Sequence, residues 1–495
     1  MTPHSFLRAG ALAALVLTLA VSAAESTPAP AKATTPAPPP SAYEQFVKDT
    51  KKPVDWLTWG ADLRLRNEYL NNAISLSRSA PLNEQDYFRI RGRLWTTVTP
   101  LTNVAVNARL SAEPREWMKP SSFGSYRNQS GLEWRYGIVD LLNVKLDNLV
   151  SQPLSLTVGR QDLMMGEPGA PWLIMDGTPG DGSWTFFSDA ARATYDAKEI
   201  KTRFDVIYLN NYADPGQRIP VMGGSQPSTG PYYVIEDDEK GVIAYASNKS
   251  VENTTVDGYF IWKETEKVTG AGFNADLYTL GARISGQPAE HWYYSVEGAY
   301  QFGNRQDQNV YRTTGGSSLE YRDIAAYGGI VTARYSFLDR LKNQVSLTGE
   351  FLSGDDPGTR GTDEMFDILW GRWPRWTEGY IFSYIPETSG RIAQMNNIFR
   401  IGPTWTITPF KGANAMVSYN AMFAPEEIPT RATAGGAPYF SYDGHFRGHY
   451  LEAIWRQVIN PHLAVRVWLN MVFEGDYYAQ HDTTTFVRAE VNLTW

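Results

Sequence analysis

The chain closes with FVRAEVNLTW (486–495), in which Val487, Ala489, Val491, Leu493 and Trp495 alternate with Arg488, Glu490, Asn492 and Thr494. Successive side chains of a strand point to opposite faces, so a period of two describes a strand with one apolar and one polar face. Such a strand is either the edge of a soluble sandwich, apolar face inward, or one strand of a membrane barrel, apolar face to lipid.

The same alternation recurs along the chain. In LTWGADLRLRNEY (57–69), Leu57, Trp59, Ala61, Leu63 and Leu65 alternate with Thr58, Gly60, Asp62, Arg64 and Arg66, and FRIRGRLWTTV (88–98) repeats the pattern. Segments of this kind predict strands at 56–69, 87–99, 103–112, 136–147, 154–165, 184–196, 201–211, 241–248 and 254–265. They continue at 276–286, 291–303, 323–336, 344–353, 396–408, 413–424, 445–458, 462–474 and 485–495, about eighteen in all. Short connections such as GQPAEH (286–291) and FLDRLKN (337–343) alternate with long ones at 113–135, 211–240, 304–322, 354–395 and 425–444. Short turns on one side and long loops on the other describe an all-β transmembrane antiparallel barrel, with the turns periplasmic and the long loops extracellular. A sandwich gives no reason for that sorting. A closed barrel leaves no unpaired strand edge in lipid, so the final strand is expected to pair with the first.

Composition agrees. The 495 residues include 16 Trp and 28 Tyr, no cysteine and, outside the first residues, no apolar run approaching a membrane helix. Absent cysteine excludes a disulfide framework and a lipid carried on sulfur. A net charge of −8 argues against nucleic acid as a partner. The opening MTPHSFLRAG followed by ALAALVLTLAVSAAES reads as a signal peptide over 1–24. A Pro/Ala-rich periplasmic linker is expected over 25–53 and the barrel over 54–495.

With the apolar set on lipid, the polar set lines the lumen. Strands of clear register supply Arg64, Arg66, Arg89, Arg91, Arg93, Arg109, Arg192, Arg283, Arg334, Arg400, Arg456, Arg466 and Arg488. The inward acids are Asp62, Glu68, Asp196, Glu297, Glu350, Glu452 and Glu490, so thirteen minus seven leaves a surplus of six positive charges. Arginine's planar fork matches a carboxylate with two parallel hydrogen bonds, so this wall suits carboxylated solutes. The competing reading is that arginines and acids pair across strands and simply brace the barrel. Inward rings (Trp95, Tyr293, Trp468) either stack on sugars or buttress loops, whereas Trp59, Trp292, Trp405 and Trp455 read as the membrane girdle. No serine, histidine and carboxylate converge as in a hydrolase, so an enzyme is not expected. The acidic clusters at 236–239 and 354–356 offer calcium a set of oxygens, but a solvated loop is the simpler reading, and no cofactor is expected.

Three passages carry a resemblance: TVGRQDLMMGEPGAPWLIMDGTPGDGSWTFFSDAARATYD (157–196), GEFLSGDDPGTRGTDEMFDILW (349–370), and the closing strands from 448 to 495. Together they resemble the alginate export family of bacterial outer-membrane proteins. The resemblance implies an eighteen-stranded monomeric barrel with an arginine-lined lumen for an acidic polyuronate, and adds Arg160 of GRQ to Arg192 of DAAR as a candidate pore residue. Strict alternation would point Arg160 at lipid, which calls for a bulge at Gly159 or a place near the extracellular rim. The expected function is an outer-membrane channel passing anionic sugars or oligosaccharides. The alternative is a porin for small anions or carboxylates, with a barrel enzyme or an adhesin behind both. Expected partners are outer-membrane lipid, an acidic saccharide or other anionic solute, and the insertion machinery during biogenesis.

Overall fold

The computed structural model describes residues 42–495 except 74–75, 79–82, 120–135, 164, 166–186, 215–217, 221–234, 270–271, 307–320, 360, 372–373, 375, 380–394, 428–432, 435–436, 439 and 442–443. The signal peptide, residues 25–41 of the linker and the DGTP loop therefore lie outside the described residues. The last part of the stretch read as linker is a helix, α1 (Ala42–Lys51). Its sequence AYEQFVKDTK lacks proline and sets Glu44 in the first turn and Lys48 and Lys51 in the last, as the helix dipole favours.

Eighteen long strands follow. They are β1 (Leu57–Asn71), β2 (Glu84–Leu101), β3 (Val104–Ala112), β4 (Tyr136–Leu146), β5 (Leu154–Gln161) and β6 (Ser188–Ala197). Next come β7 (Thr202–Asn211), β8 (Asp237–Asn248), β9 (Thr254–Lys267), β10 (Ala275–Ala289), β11 (Trp292–Gln306) and β12 (Tyr321–Ser336). The last six are β13 (Gln344–Leu352), β14 (Ile398–Ile407), β15 (Ala413–Phe423), β16 (Phe446–Asn460), β17 (Leu463–Glu474) and β18 (Thr484–Thr494). Each pairs antiparallel with its sequence neighbour, and β18 pairs β1 from Asp62↔Thr494 to Asn71↔Thr485, which closes the barrel. A short piece, Arg115–Lys119, prolongs β3 beside β2 after a break at residues 113–114.

The pleat sets the faces as the alternation requires. Leu63, Leu65, Ile90, Leu94, Leu280, Val331 and Leu347 are exposed on the outside, while their strand neighbours Arg64, Arg66, Arg89, Arg91 and Arg283 are buried inside. Burial here is reversed relative to a soluble protein because lipid is the outer solvent. The outward Trp59, Trp292, Trp405 and Trp455 all lie near the short-turn ends of their strands, and so form one girdle rather than two. At the seam the Trp495 amide donates to the Ala61 carbonyl (2.8 Å), and its ring stands 6.5 Å from Trp59 and 6.2 Å from Phe46 of α1.

Candidate functional site

The inner face of β18, β1 and β2 holds six of the thirteen predicted inward arginines. Antiparallel register sets Arg64 opposite Arg91 and Arg66 opposite Arg89, with Arg66 also beside Glu490 and Glu68 beside Arg488. Four like charges so placed need carboxylates between them. Glu113 supplies one, 2.8 Å from Arg64 and 2.9 Å from Arg89. Glu490 accepts from Arg66 at 2.6 Å and lies 3.7 Å from Arg466, while Glu68 accepts from Arg488 at 2.7 Å. Asp62 accepts from Arg93 at 2.7 Å and lies 3.5 Å from Arg91. Seven arginines (64, 66, 89, 91, 93, 466 and 488) thus share Asp62, Glu68, Glu113 and Glu490, with Glu378 of a loop adding a fifth acid 3.0 Å from Arg488.

Elsewhere several of the arginines have carboxylates of their own. Arg109 meets Asp140 at 2.8 Å and Asp162 at 3.0 Å; Arg192 meets Asp205 at 2.8 Å. Arg283 reaches Asp257 at 3.2 Å and also donates to Tyr293 Oη and Ser295 Oγ. Arg400 pairs with Glu350 and lies 4.5 Å from the Trp376 ring. The sequence count of inward acids lacks Glu113, Asp140, Asp205 and Asp257, so on that set thirteen minus eleven leaves a surplus of two positive charges, not the expected six. For Asp140 the reason is register: β4 carries a bulge against β3 between Arg109 and Leu110, which hides it from strict alternation. Asp205 and Asp257 keep ordinary alternation with the buried Ile207 and Ile261. Glu113 simply continues the odd-numbered parity of Arg109 and Ser111 past the expected strand end.

Arg160 departs from the set. It lies opposite Leu142 on the outward parity, one residue from the loop end of β5, and both Nε and Nη2 donate to Asp189 at 2.9 Å. Gly159 before it has φ +118°, a conformation that an L side chain rarely adopts, and the Phe187 ring lies 4.0 Å from the guanidinium. Arg160 is therefore a paired charge at the extracellular rim, not a residue of the inner wall.

Exposure divides the inward arginines into two tiers. Arg64, Arg66, Arg89, Arg91, Arg283 and Arg488 are essentially inaccessible. Arg93, Arg109, Arg192 and Arg466 retain between 13% and 26% of side-chain exposure. Arg456 is exposed and faces Arg466 across β16 and β17. Arg334 lies 4.5 Å from the Tyr293 ring and has no carboxylate partner among the described residues. Arg334, Arg456 and Arg466 belong to the turn-side ends of their strands.

In its described part the long connection between β13 and β14 does not project outward: Phe366, Leu369 and Trp370 are buried in one cluster with Ile243, Ile261, Ile324 and Ile398 of the inner wall. Asp355 is held by Arg322 (2.7 Å), and Asp367 by Arg305 (2.9 Å) and Lys263 (3.4 Å). Gln301 brackets the Asp367 backbone, donating to its carbonyl at 2.9 Å and accepting from its amide at 2.7 Å. Farther on, Thr377 bonds the Tyr450 hydroxyl and Glu378 reaches Arg488 on β18. The expected solvated, extracellular loop is thus, in its described part, a strap laid across the lumen. The acidic clusters are taken up in the same way: Asp355 on Arg322, and Glu239 on Lys263 at 3.2 Å. Among the described residues no three His, Cys, Asp or Glu side chains converge on a point that would hold a metal.

Residues 237–492 match the family model described as alginate export. No curated protein matches the chain in sequence. Among solved structures, OccAB2 of Acinetobacter baumannii aligns with a TM-score of 0.51 at 9% identity, covering 88% of this chain and 98% of that one. OprD of Pseudomonas aeruginosa gives 0.48 at 13% identity, covering 88% and 95%. These likenesses concern the fold.

Proposed function

The chain belongs to the alginate export family, and on that premise we propose that this barrel, an outer-membrane protein of a Gram-negative bacterium, passes anionic sugars or oligosaccharides through its lumen. The supporting observation is the open tier of arginines. Arg93, Arg109, Arg192, Arg334 and Arg466 are only partly buried on the inner wall and Arg456 is exposed, and Arg334 has no acid of its own among the described residues. Such groups attract a carboxylate and exchange it with a neighbour, whereas a guanidinium sealed in an ion pair does neither. The buried tier braces the wall and gives the open tier its background field. A single closed chain suffices for the path, which supports a monomeric functional unit. The inward strap favours a second reading, a channel for small carboxylates, because a clamped loop leaves a polymer less room.

Reversal potentials of the full mature chain in planar bilayers, taken across a salt gradient, test the proposal. Anion preference is expected, and Arg334→Gln with Arg466→Gln should reduce it and weaken current block by trigalacturonate, most clearly at low ionic strength, where exposed charges act over longer range. Cation preference in the unaltered protein would defeat the proposal.

A further inference from the structure

At the turn side of the barrel, β6 to β10 enclose an alcove of about 750 Å³, bounded by residues 196–198, 201–203 and 205, by Ser247 and Lys249, and by Thr255, Asp257 and Arg283. Met165, from the loop after β5, also lines it. Six cations border the space: Arg192, Lys198, Lys201, Arg203, Lys249 and Arg283. Against them stand Asp196, Asp205 and Asp257, so six minus three leaves three positive charges.

Two of the three acids are already engaged, and Asp196 stands opposite Arg203 in the β6–β7 register. Asp257 accepts from Arg283 at 3.2 Å and from the Tyr245 hydroxyl at 2.7 Å. Asp205 is shared by Arg192 at 2.8 Å and Arg203 at 3.2 Å, each through its Nε. The Nη groups of Arg192 and Arg203 are therefore left over, and among the described residues the ammonium groups of Lys198 and Lys201 have no carboxylate partner. Hydroxyls of Thr202, Ser247 and Thr255 line the same space. Cations without acids, hydroxyl groups and one apolar surface together fit a sugar acid: carboxylate on the guanidinium forks, ring hydroxyls on the side-chain oxygens. The volume is far larger than a single inorganic anion requires.

We propose that this alcove is a binding site for a carboxylated saccharide at the periplasmic entrance of the barrel, an inference that rests on the channel reading above. It places the first or last stop of the solute on the β6–β10 wall, away from the buried network of β18, β1 and β2. The net charge comes from the turn tips, so the site is available from the periplasm whatever the position of the strap.

Calorimetry on the detergent-purified full chain, with trigalacturonate as probe and maltotriose as neutral control, tests it. Trigalacturonate should bind and maltotriose should not, and Lys201→Gln with Arg203→Gln should weaken binding about tenfold while leaving heat-modifiable migration intact. Binding unchanged in that variant overturns the assignment while leaving the channel reading in place, provided reversal potentials still show anion preference. Displacement of the probe by an equal concentration of inorganic phosphate would mean that charge alone is recognised, and also overturns it. Absence of both probe binding and anion preference in the unaltered protein overturns both readings.

Discussion

Two sectors of the inner wall solve the same problem by opposite means. On β18, β1 and β2 the inward residues are Arg64, Arg66, Arg89, Arg91 and Arg488, sealed by shared carboxylates. On β8 to β12 they include Ile243, Ile261, Leu277, Ile324 and Ile330, covered by the apolar strap residues Phe366, Leu369 and Trp370. The first sector could face water; the second could not, since an apolar wall beside an aqueous lumen is unstable unless something covers it. The strap is thus as much a consequence of the wall's composition as a device for narrowing the path.

The charged sector should be the more fragile of the two. Glu113 is wholly buried and stands between Arg64 and Arg89. Glu113→Gln keeps its shape but leaves two buried guanidiniums facing one another, a change that costs about 3–5 kcal/mol for a buried charge without its partner. The temperature at which the folded band disappears in heat-modifiability gels should fall markedly. Replacing Arg64 and Glu113 together by Leu should cost less than Glu113→Gln alone, and equal losses would show that the pair is not coupled.

The strands were legible in the sequence and the strap was not, for a physical reason. Alternation survives wherever one face meets lipid and the other meets polar groups, so all eighteen strands were found, with errors at their ends. Residues 237–240 (DDEK) of β8 carry no alternation because they are polar on both faces, although their pairing with β9 continues to Asp237↔Lys267. The strap left a fainter trace. Runs such as VIAYA (242–246) and FIW (260–262) are apolar on both faces, which marks a strand covered on both sides. MFDILW (365–370), an apolar cluster within a long loop, was the matching half of that signal. Neither means much without the other, and their pairing across about a hundred residues is a tertiary fact. Two of the carboxylates behind the arginines are hidden for a related reason: a bulge displaces Asp140, and Glu113 lies past a broken strand end, whereas Asp205 and Asp257 follow plain alternation on β7 and β9.

An intermediate effect is expected from the strap's anchor. Trp370 is fully buried, and its ring stands where a side chain at Gly241 would have to be, 2.7 Å from an ideal Cβ there. Trp370→Ala removes a buried ring at a cost of about 3–5 kcal/mol, but the loss falls on the strap rather than on the strand ladder. The barrel should therefore keep its gel migration while single-channel conductance rises and becomes noisier. Unaltered conductance would mean that the strap does not narrow the path.

The smallest effect should come from acid acting on the strap's ion pairs. Burial by itself would push the Asp367 carboxyl up, but Lys263 and Arg305 beside it hold it below the usual carboxylate range. A carboxylate depressed in this way contributes stability that is fully present above its unfolded value of about 3.9, and that is lost as pH falls through the lower folded value. Between pH 5 and pH 8, Asp367 should therefore leave conductance unchanged, and release should begin only below about pH 4. Asp363 also reaches Arg305 (3.2 Å), Asp355 holds Arg322, and Glu239 shares Lys263, so loss of one charge loosens the strap without freeing it. Asp367→Asn at neutral pH should reproduce what acid does to the unaltered protein, a modest rise in conductance with no change in barrel stability. A conductance step near pH 6 that survives Asp367→Asn would assign the acid response to another group and leave the strap's salt bridges without a part in it.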